Sequence, residues 1–277
     1  MRSNNKIIAL VVFALFGCQV QGPAYSGHLT DSSVMINDTL NSTAAIVMQG
    51  PSGLFSPICT AFYISPRILA TANHCVVPPT THIVQVAPGI SIEMPAESVP
   101  VESVSELGRE ILIVNHQEYN DSIESGAETL AVTIHQTKVV QFDTGRDIAL
   151  IELISTERSS EHFFRVSDTL PTVGSRVYEI GMPAGELWLF TQGIVSSIRR
   201  LANGHSEVVH QANVTHGASG GPLFNDRGEI VGVTTSFIQN ATYIGYAASS
   251  VDLLGLLHKY RNPTHKICTT NQCLLRS

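Results

Sequence analysis

From Ala44 onward the chain is written in short, β-branched runs separated by Gly, Pro and polar clusters. The runs are Ala44–Met48, Cys59–Ile64, Arg67–Thr71, His82–Ala87, Ile111–Asn115, Ile148–Leu153, Arg176–Gly181, Gly193–Ile198, Glu207–Ala212, Pro222–Phe224, Ile230–Ser236 and Tyr243–Ala247. Many short strands with frequent turns predict an all-β barrel or sandwich. No long amphipathic helical pattern interrupts them until the end. There Ser250 can cap a helix running to Tyr260, with Val251, Leu253, Leu254, Leu257 and His258 at helical spacing. The stretch 118–143 carries Glu118, Asp121, Glu124 and Glu128, followed by partial alternation over Thr133–Val140. It reads as an acidic surface loop and a hairpin.

The ends of the chain read differently. Residues 1–17 form a secretory signal, with Arg2 and Lys6 before an apolar run, Ile7–Phe16, too short to span a bilayer. The string Leu15-Phe16-Gly17-Cys18 resembles a bacterial lipobox, in which the cysteine is acylated and becomes the new N-terminus. Cys18 is therefore a candidate membrane tether; cleavage near Gly22, with Cys18 discarded, is the alternative. The chain is expected to be exported, as a secreted, periplasmic or surface lipoprotein. Residues 18–43 are polar and read as a tether. Net charge is −7, and without Arg2 and Lys6 it is −9. An acidic chain lacking Lys/Arg clusters is a poor partner for nucleic acid or anionic lipid. With 277 residues, 43% hydrophobic, it can build one or two packed domains. The expected state is a monomer.

Setting Cys18 aside leaves Cys59, Cys75, Cys268 and Cys273, enough for two disulfides in an oxidising compartment. Of three connectivities, Cys59–Cys75 with Cys268–Cys273 is favoured. The first closes a loop around His74 and the second clips the tail, 261–277. Zinc is the competing reading, but Cys-x4-Cys at the tail has no convincing histidine pair, so no metal or other cofactor is expected.

Three strings carry chemistry: Thr71-Ala72-Asn73-His74-Cys75, Asp147-Ile148-Ala149-Leu150 and Gly217-Ala218-Ser219-Gly220-Gly221-Pro222. A serine hydroxyl is a poor nucleophile at neutral pH. It becomes a good one when a histidine takes its proton and a carboxylate fixes that histidine's tautomer. His74 ends an apolar run, which holds a base rigidly at a strand end. Asp147 opens a hydrophobic strand and needs a partner there; Asp143 and Asp168 are rivals without a comparable strand behind them. Gly217 has no Cβ, so a carbonyl can approach its N–H, and the N–H groups of Gly217 and Ser219 can converge on an oxyanion.

These strings, in the order His, Asp, Ser, resemble the trypsin/chymotrypsin superfamily over roughly residues 44–260. Cys59 and Cys75, the latter directly after the histidine, match the disulfide of animal trypsins. Gly181-Met182-Pro183, Thr191–Ser196, Gln211–Phe224 and Tyr243–Ala247 are more like the bacterial Deg-type branch. The resemblance implies two six-stranded antiparallel β-barrels with the active site between them, and a short C-terminal helix packed on the second barrel. His74 and Asp147 would come from the first barrel and Ser219 from the second. It implies a serine endopeptidase acting on proteins or peptides. It also implies a specificity pocket lined by Asn213, Thr215, His216, Thr235 and Ser236. Asn213 near the pocket base disfavours Lys or Arg; His216 suits an acidic side chain, and a small or apolar one is equally compatible.

Two departures matter. Ala218 stands where trypsins carry an aspartate that pairs with a freed N-terminus, so tryptic-type activation is not expected. A precursor that gains activity only after a cut near Ile46 would refute this. Only 17 residues follow Tyr260, too few for a PDZ module. Two rival readings remain. Gly217–Gly221 also fits the Gly-x-Ser-x-Gly elbow of α/β-hydrolases, but Pro222-Leu223-Phe224 leads into a strand rather than a helix. A pseudoprotease that only binds usually lacks a triad member, and none is lacking here.

Overall fold

The structure is a computed structural model that describes residues 31–50, 53–76, 81–87, 90–95, 110–124, 132–156, 159–183, 186–238, 244–263, 266–269 and 272–275. Residues 1–17, read above as a signal, and Cys18 lie outside the described residues. Six strands close the first barrel: β1 (Thr43–Gln49), β2 (Phe55–Tyr63), β3 (Ile68–Ala72), β6 (Glu110–Asn115), β7 (His135–Asp143) and β8 (Ile148–Leu153). Their order is β1-β2-β3-β8-β7-β6, with β6 returning to β1. Between β3 and β6 lies a separate hairpin, β4 (Thr81–Ala87) with β5 (Ile90–Pro95). The run His82–Ala87 thus forms a strand, but outside the barrel.

The second barrel uses β10 (Arg176–Gly181), β11 (Leu189–Arg200), β12 (Ser206–His210), β13 (Pro222–Phe224), β14 (Glu229–Phe237) and β15 (Gly245–Ser249). The order β13-β10-β11-β12-β15-β14 closes through a β13–β14 pairing. A short strand, β9 (Arg165–Val166), adds to β14 in parallel. The two expected six-stranded antiparallel barrels are present. Bulges at Ile46/Val47, Val139/Gln141, Val195/Ser197 and Thr234/Ser236 give the strands the bend that closure needs.

Three apolar clusters explain the sequence pattern. Ala44, Ile46, Ala61, Tyr63, Leu69, Ile113, Val139, Ala149 and Ile151 fill the first barrel. Val177, Val195, Val208, Leu223, Val231 and Ala247 fill the second. The seam holds Phe62, Ala70, Ile148, Leu150, Phe164, Ile180, Phe224 and Val233. Strand β8 is therefore buried on both faces: Ala149 and Ile151 point into the barrel, Ile148 and Leu150 into the seam. That is why it reads as a continuous apolar run. Each large side chain so buried contributes about 1.5–3 kcal/mol.

Three helices complete the described fold. α1 (Asp31–Asn41) occupies part of the stretch read as a polar tether, which corrects that reading for these residues. Its end is buried: Thr39 and Ser42 are 6% and 3% exposed, and their hydroxyls bond the carbonyls of Ile36 and Asp38. α2 (His116–Glu124) replaces the expected acidic loop. It is pinned by Glu118, which meets buried His135 at 2.7 Å, and by Tyr119 and His116 against the Trp188 ring. α3 (Ser250–Arg261) is the expected C-terminal helix, but its cap is Ser249, whose hydroxyl accepts the Asp252 N–H. Its buried face is Leu253, Leu256 and Leu257, with Val251 exposed. It packs on β9, β14 and β15 and also touches β7, so it spans both barrels. In the tail, β16 (Lys266–Thr269) pairs with β17 (Gln272–Leu275), with Cys268 opposite Cys273; their sulfur atoms lie outside the description.

Candidate active site

The backbone leaves β3 at Ala72 and makes one 3₁₀ turn, Asn73–Cys75, closed by Val76 N–H to Asn73 O at 3.0 Å. His74 occupies the middle of that turn. Cys75 is joined to Cys59 on β2, with Cα atoms 6.1 Å apart, so the turn is tied to the barrel wall. The expected Cys59–Cys75 disulfide is thus present in the structure. The disulfide leaves no thiolate on either cysteine, so the close approach of their sulfurs to His74 offers no metal site.

Asp147 faces this turn with three groups. Its carbonyl accepts Asn73 N–H at 3.1 Å, its Oδ1 accepts His74 N–H at 2.9 Å, and its Oδ2 lies 2.8 Å from His74 Nδ1. An ionised carboxylate only accepts, so Nδ1 carries the ring hydrogen and Nε2 is left as the basic nitrogen. The residue adopts a left-handed conformation, φ 54°, uncommon for non-glycine residues but tolerated by aspartate better than by most. The rivals are excluded by position: Asp143 pairs with Arg146 and Lys259, and Asp168 is exposed.

Ser219 lies on the loop between β12 and β13. Within the loop, Ala218 N–H bonds Thr215 O (3.1 Å) and Gly221 N–H bonds Ala218 O (2.9 Å). From β14, Thr234 accepts the Gly220 N–H (2.7 Å) and donates to Gly221 O (2.9 Å). From the first barrel, Thr60 donates twice: its N–H to Ser219 O (2.8 Å) and its hydroxyl to Gly217 O (2.9 Å). Gly217 and Gly220 have φ of 98° and 82°. A Cβ on Gly220 would overlap Thr60 O and the Thr71 hydroxyl, so only glycine fits there. Among the described residues, neither Gly217 N–H nor Ser219 N–H has a backbone acceptor. The Ser219 hydroxyl is turned to Thr235 O at 3.5 Å, and among the described residues no hydrogen bond links it to His74.

The expected pocket residues gather beside this loop in part. Thr235 touches Ser219, and its hydroxyl bonds Tyr246 O at 3.3 Å; Ser236 is exposed next to it. The His216 ring meets Phe237 edge-on at 5.0 Å. The Asn213 carbonyl accepts the Thr191 hydroxyl at 3.3 Å while its side chain faces solvent. The Thr215 hydroxyl is buried without a partner among the described residues.

Three residues escaped the sequence reading. Thr60 gives no sequence signal, since its role comes from the meeting of two distant segments. Glu179 and His210 were legible: each lies two residues beyond an inward valine, Val177 or Val208, and so continues into the second barrel. Glu179 is 1% exposed; among the described residues one oxygen has no partner and the other lies 3.5 Å from the Thr191 hydroxyl, and burial pushes its carboxyl well above the usual range. It sits beneath Gly181 and Gly221, against the Ser219 loop. His210 is fully buried beside Gly245 and Val214; among the described residues neither ring nitrogen has a partner, and burial lowers it to about 4.

A sequence profile of the trypsin-like peptidase domain matches residues 59–233, well over half of the chain. The probable periplasmic serine protease Do/HhoA-like of Haemophilus influenzae is 33% identical over 129 residues, 43% of this chain and 28% of that protein. The Do-like serine protease HtrB of Bacillus subtilis is 30% identical over 151 residues, 48% of this chain and 33% of that protein. The chain therefore spans a third or less of the length of these two relatives. Among solved structures, the serine endoprotease of Yersinia pestis superposes with a TM-score of 0.58 at 16% identity, covering 85% of this chain and 69% of that one. The Rv3671c protease of M. tuberculosis in its active form gives 0.57 at 17% identity, covering 90% and 94%. At these identities the structural likeness speaks for the fold alone. By its profile match, the chain belongs to the family of trypsin-like peptidase domains.

Proposed function

We propose that the chain is an exported serine endopeptidase that cleaves peptide bonds through an acyl-enzyme. The observation that carries this reading is the double hydrogen bond from His74 to Asp147, set beside a serine loop whose two N–H groups are unspent. For the reaction, Ser219 Oγ must leave Thr235 O and turn to Nε2. Such contacts are often loose without substrate and tighten in the complex. The oxygen attacks the scissile carbonyl while its proton passes to Nε2; Asp147 stabilises the resulting imidazolium. Negative charge on the former carbonyl oxygen is met by the N–H groups of Gly217 and Ser219, each donor worth about 2.7–4 kcal/mol. His74 then protonates the leaving amine, and water reverses the sequence to free the enzyme. No cofactor enters these steps.

Asn213, Thr215, His216, Thr235 and Ser236 line the reading of the substrate side chain, with acidic and small or apolar residues the two classes compared. The Cys59–Cys75 bond and relatives named as periplasmic support an oxidising, exported location. Acylation at Cys18 would tether the enzyme to a membrane, and a Cys268–Cys273 clip would close the tail. A second reading, a binding module without turnover, draws on the Ser219 rotamer turned to Thr235. Intact-mass labelling with a fluorophosphonate separates the two. One adduct, lost in Ser219→Ala, is expected; no adduct on folded, disulfide-intact protein would defeat the protease reading. Cleavage of a peptide library then assigns the pocket.

A further inference from the structure

The β7–β8 turn that presents Asp147 is gripped by the other half of the molecule, and Arg146 is the point of grip. Its backbone N–H donates to Asp143 Oδ1 at 3.2 Å, and its Nε lies 3.4 Å from Asp143 Oδ2. The same guanidinium crosses the seam: Nη1 donates to Asp252 O at 3.1 Å, Nε lies 3.6 Å from Asp252 Oδ1, and Nε stands 3.0 and 3.2 Å from the two nitrogens of His205. Its partner is itself fixed. Asp252 Oδ2 accepts from the Ser249 hydroxyl at 2.8 Å and from Ser206 N–H at 3.1 Å, and Oδ1 lies 3.1 Å from His205 Nδ1. His205 Nδ1 therefore donates to Asp252 and Nε2 accepts from Arg146. Two further contacts close the ring: Asn203 Nδ2 to Gly145 O at 3.4 Å and Lys259 Nζ to Asp143 Oδ2 at 3.7 Å. A Cβ on Gly255 would stand 3.0 Å from Nη1, so α3 leaves room for this one side chain.

We propose that Arg146 is a positioning residue that holds the left-handed backbone of Asp147, so that α3 and the β11–β12 turn set the aim of His74. The physical reason is strain. Left-handed backbone is uncommon for a residue with a side chain, although aspartate tolerates it better than most, so a turn that holds φ 54° at Asp147 gains from anchors on either side. Here the next residue back is anchored at both its backbone and its guanidinium. The side chains of Arg146 and Asp252 are 16% and 11% exposed, so the pair is shielded from salt more than a surface pair. Two cationic side chains, Arg146 and Lys259, face two carboxylates, Asp143 and Asp252. Nε faces Asp143, Asp252 and His205 while Nη1 donates to Asp252 O, a two-point geometry that a single ammonium cannot reproduce. The inference rests on the proposal that Asp147 orients His74.

The test compares Arg146→Met and Arg146→Lys with the unmodified chain, each shown folded by thermal unfolding. Arg146→Met is expected to lower kcat about ten- to a hundredfold, the scale set by small misplacements, with KM changed by less than about twofold. Arg146→Lys should recover part of the loss. In an Asp147→Asn background, Arg146→Met should add no further loss, because it acts through Asp147. Ring ¹⁵N spectra of His74 report the Nδ1 hydrogen bond without turnover; that signature should weaken in Arg146→Met and persist in Arg146→Lys. Unchanged kcat in folded Arg146→Met, full additivity with Asp147→Asn, or an unaltered His74 spectrum would overturn the proposal. An unmodified chain that refuses the fluorophosphonate would instead sink the protease reading, and the His74 spectra alone would then judge the clamp.

Discussion

At the scale of single residues, Asp147 carries the largest obligation: it binds both the backbone and the ring of His74. Asp147→Asn keeps an acceptor for the backbone N–H but can present an amide to Nδ1, which favours the wrong tautomer. We expect kcat to fall by about 10³–10⁴ with the fold intact, read by steady-state kinetics beside a thermal melt. Two buried polar residues set opposite pH limits. The unfolded chain releases the Glu179 proton near 4.5 while the fold retains it. The unfolded state then binds fewer protons, so stability falls as pH rises above that value. His210 does the reverse: the unfolded chain takes a proton near 6.5, the fold only near 4. Stability is therefore lost as pH falls through that window, at about 1.4 kcal/mol per unit and up to about 3 kcal/mol. Urea midpoints against pH should show Glu179→Gln flattening the alkaline limb and His210→Leu the acid one. Unchanged limbs in both variants would contradict the burial argument.

At the scale of elements, the disulfide offers the cleanest measurement. Cys59 and Cys75 are 16 residues apart, a loop whose closure entropy corresponds to about 3 kcal/mol. The double Cys→Ala variant should lose about that much in urea unfolding. Under conditions where it remains folded, it should also label more slowly with a fluorophosphonate, because the turn carrying His74 is released. Full labelling speed would show that β3 alone holds the histidine. Strands and helices differ in how well the sequence announced them. β8 was legible because both of its faces are buried. α1 was not: DSSVMINDTLN mixes β-branched and polar residues with little helical periodicity. It is stabilised instead by tertiary packing, Met35 and Thr39 against Gly228, and by hydroxyls returning to helix carbonyls. α2 likewise depends on Trp188 and His135, residues far from it in sequence. The histidine, aspartate and serine were readable as local strings; Thr60 and Arg146 were not, since the partners of each lie in segments remote from its own.

At the scale of the molecule, the seam decides whether the two barrels behave as one body. Phe164 bridges it, with ring centroids 5.7 Å from Phe62 of the first barrel and 5.4 Å from Phe224 of the second. Phe164→Ala should cost about 3–5 kcal/mol, as truncations of buried aromatics do. Because Thr60 of the first barrel holds the serine loop of the second through two bonds, kcat should drop with stability; a destabilised variant at full kcat would show the barrels aligned by other means. The cross-seam bonds from Thr60 add a last consequence. The serine is encoded in one half of the chain and held by the other. Severing the connector near residues 157–158 would leave two fragments whose complementary surfaces include the very bonds that shape the serine loop. Reassembly of the fragments and recovery of serine reactivity should then follow a single concentration dependence, so the chemistry would report on the mating of two halves.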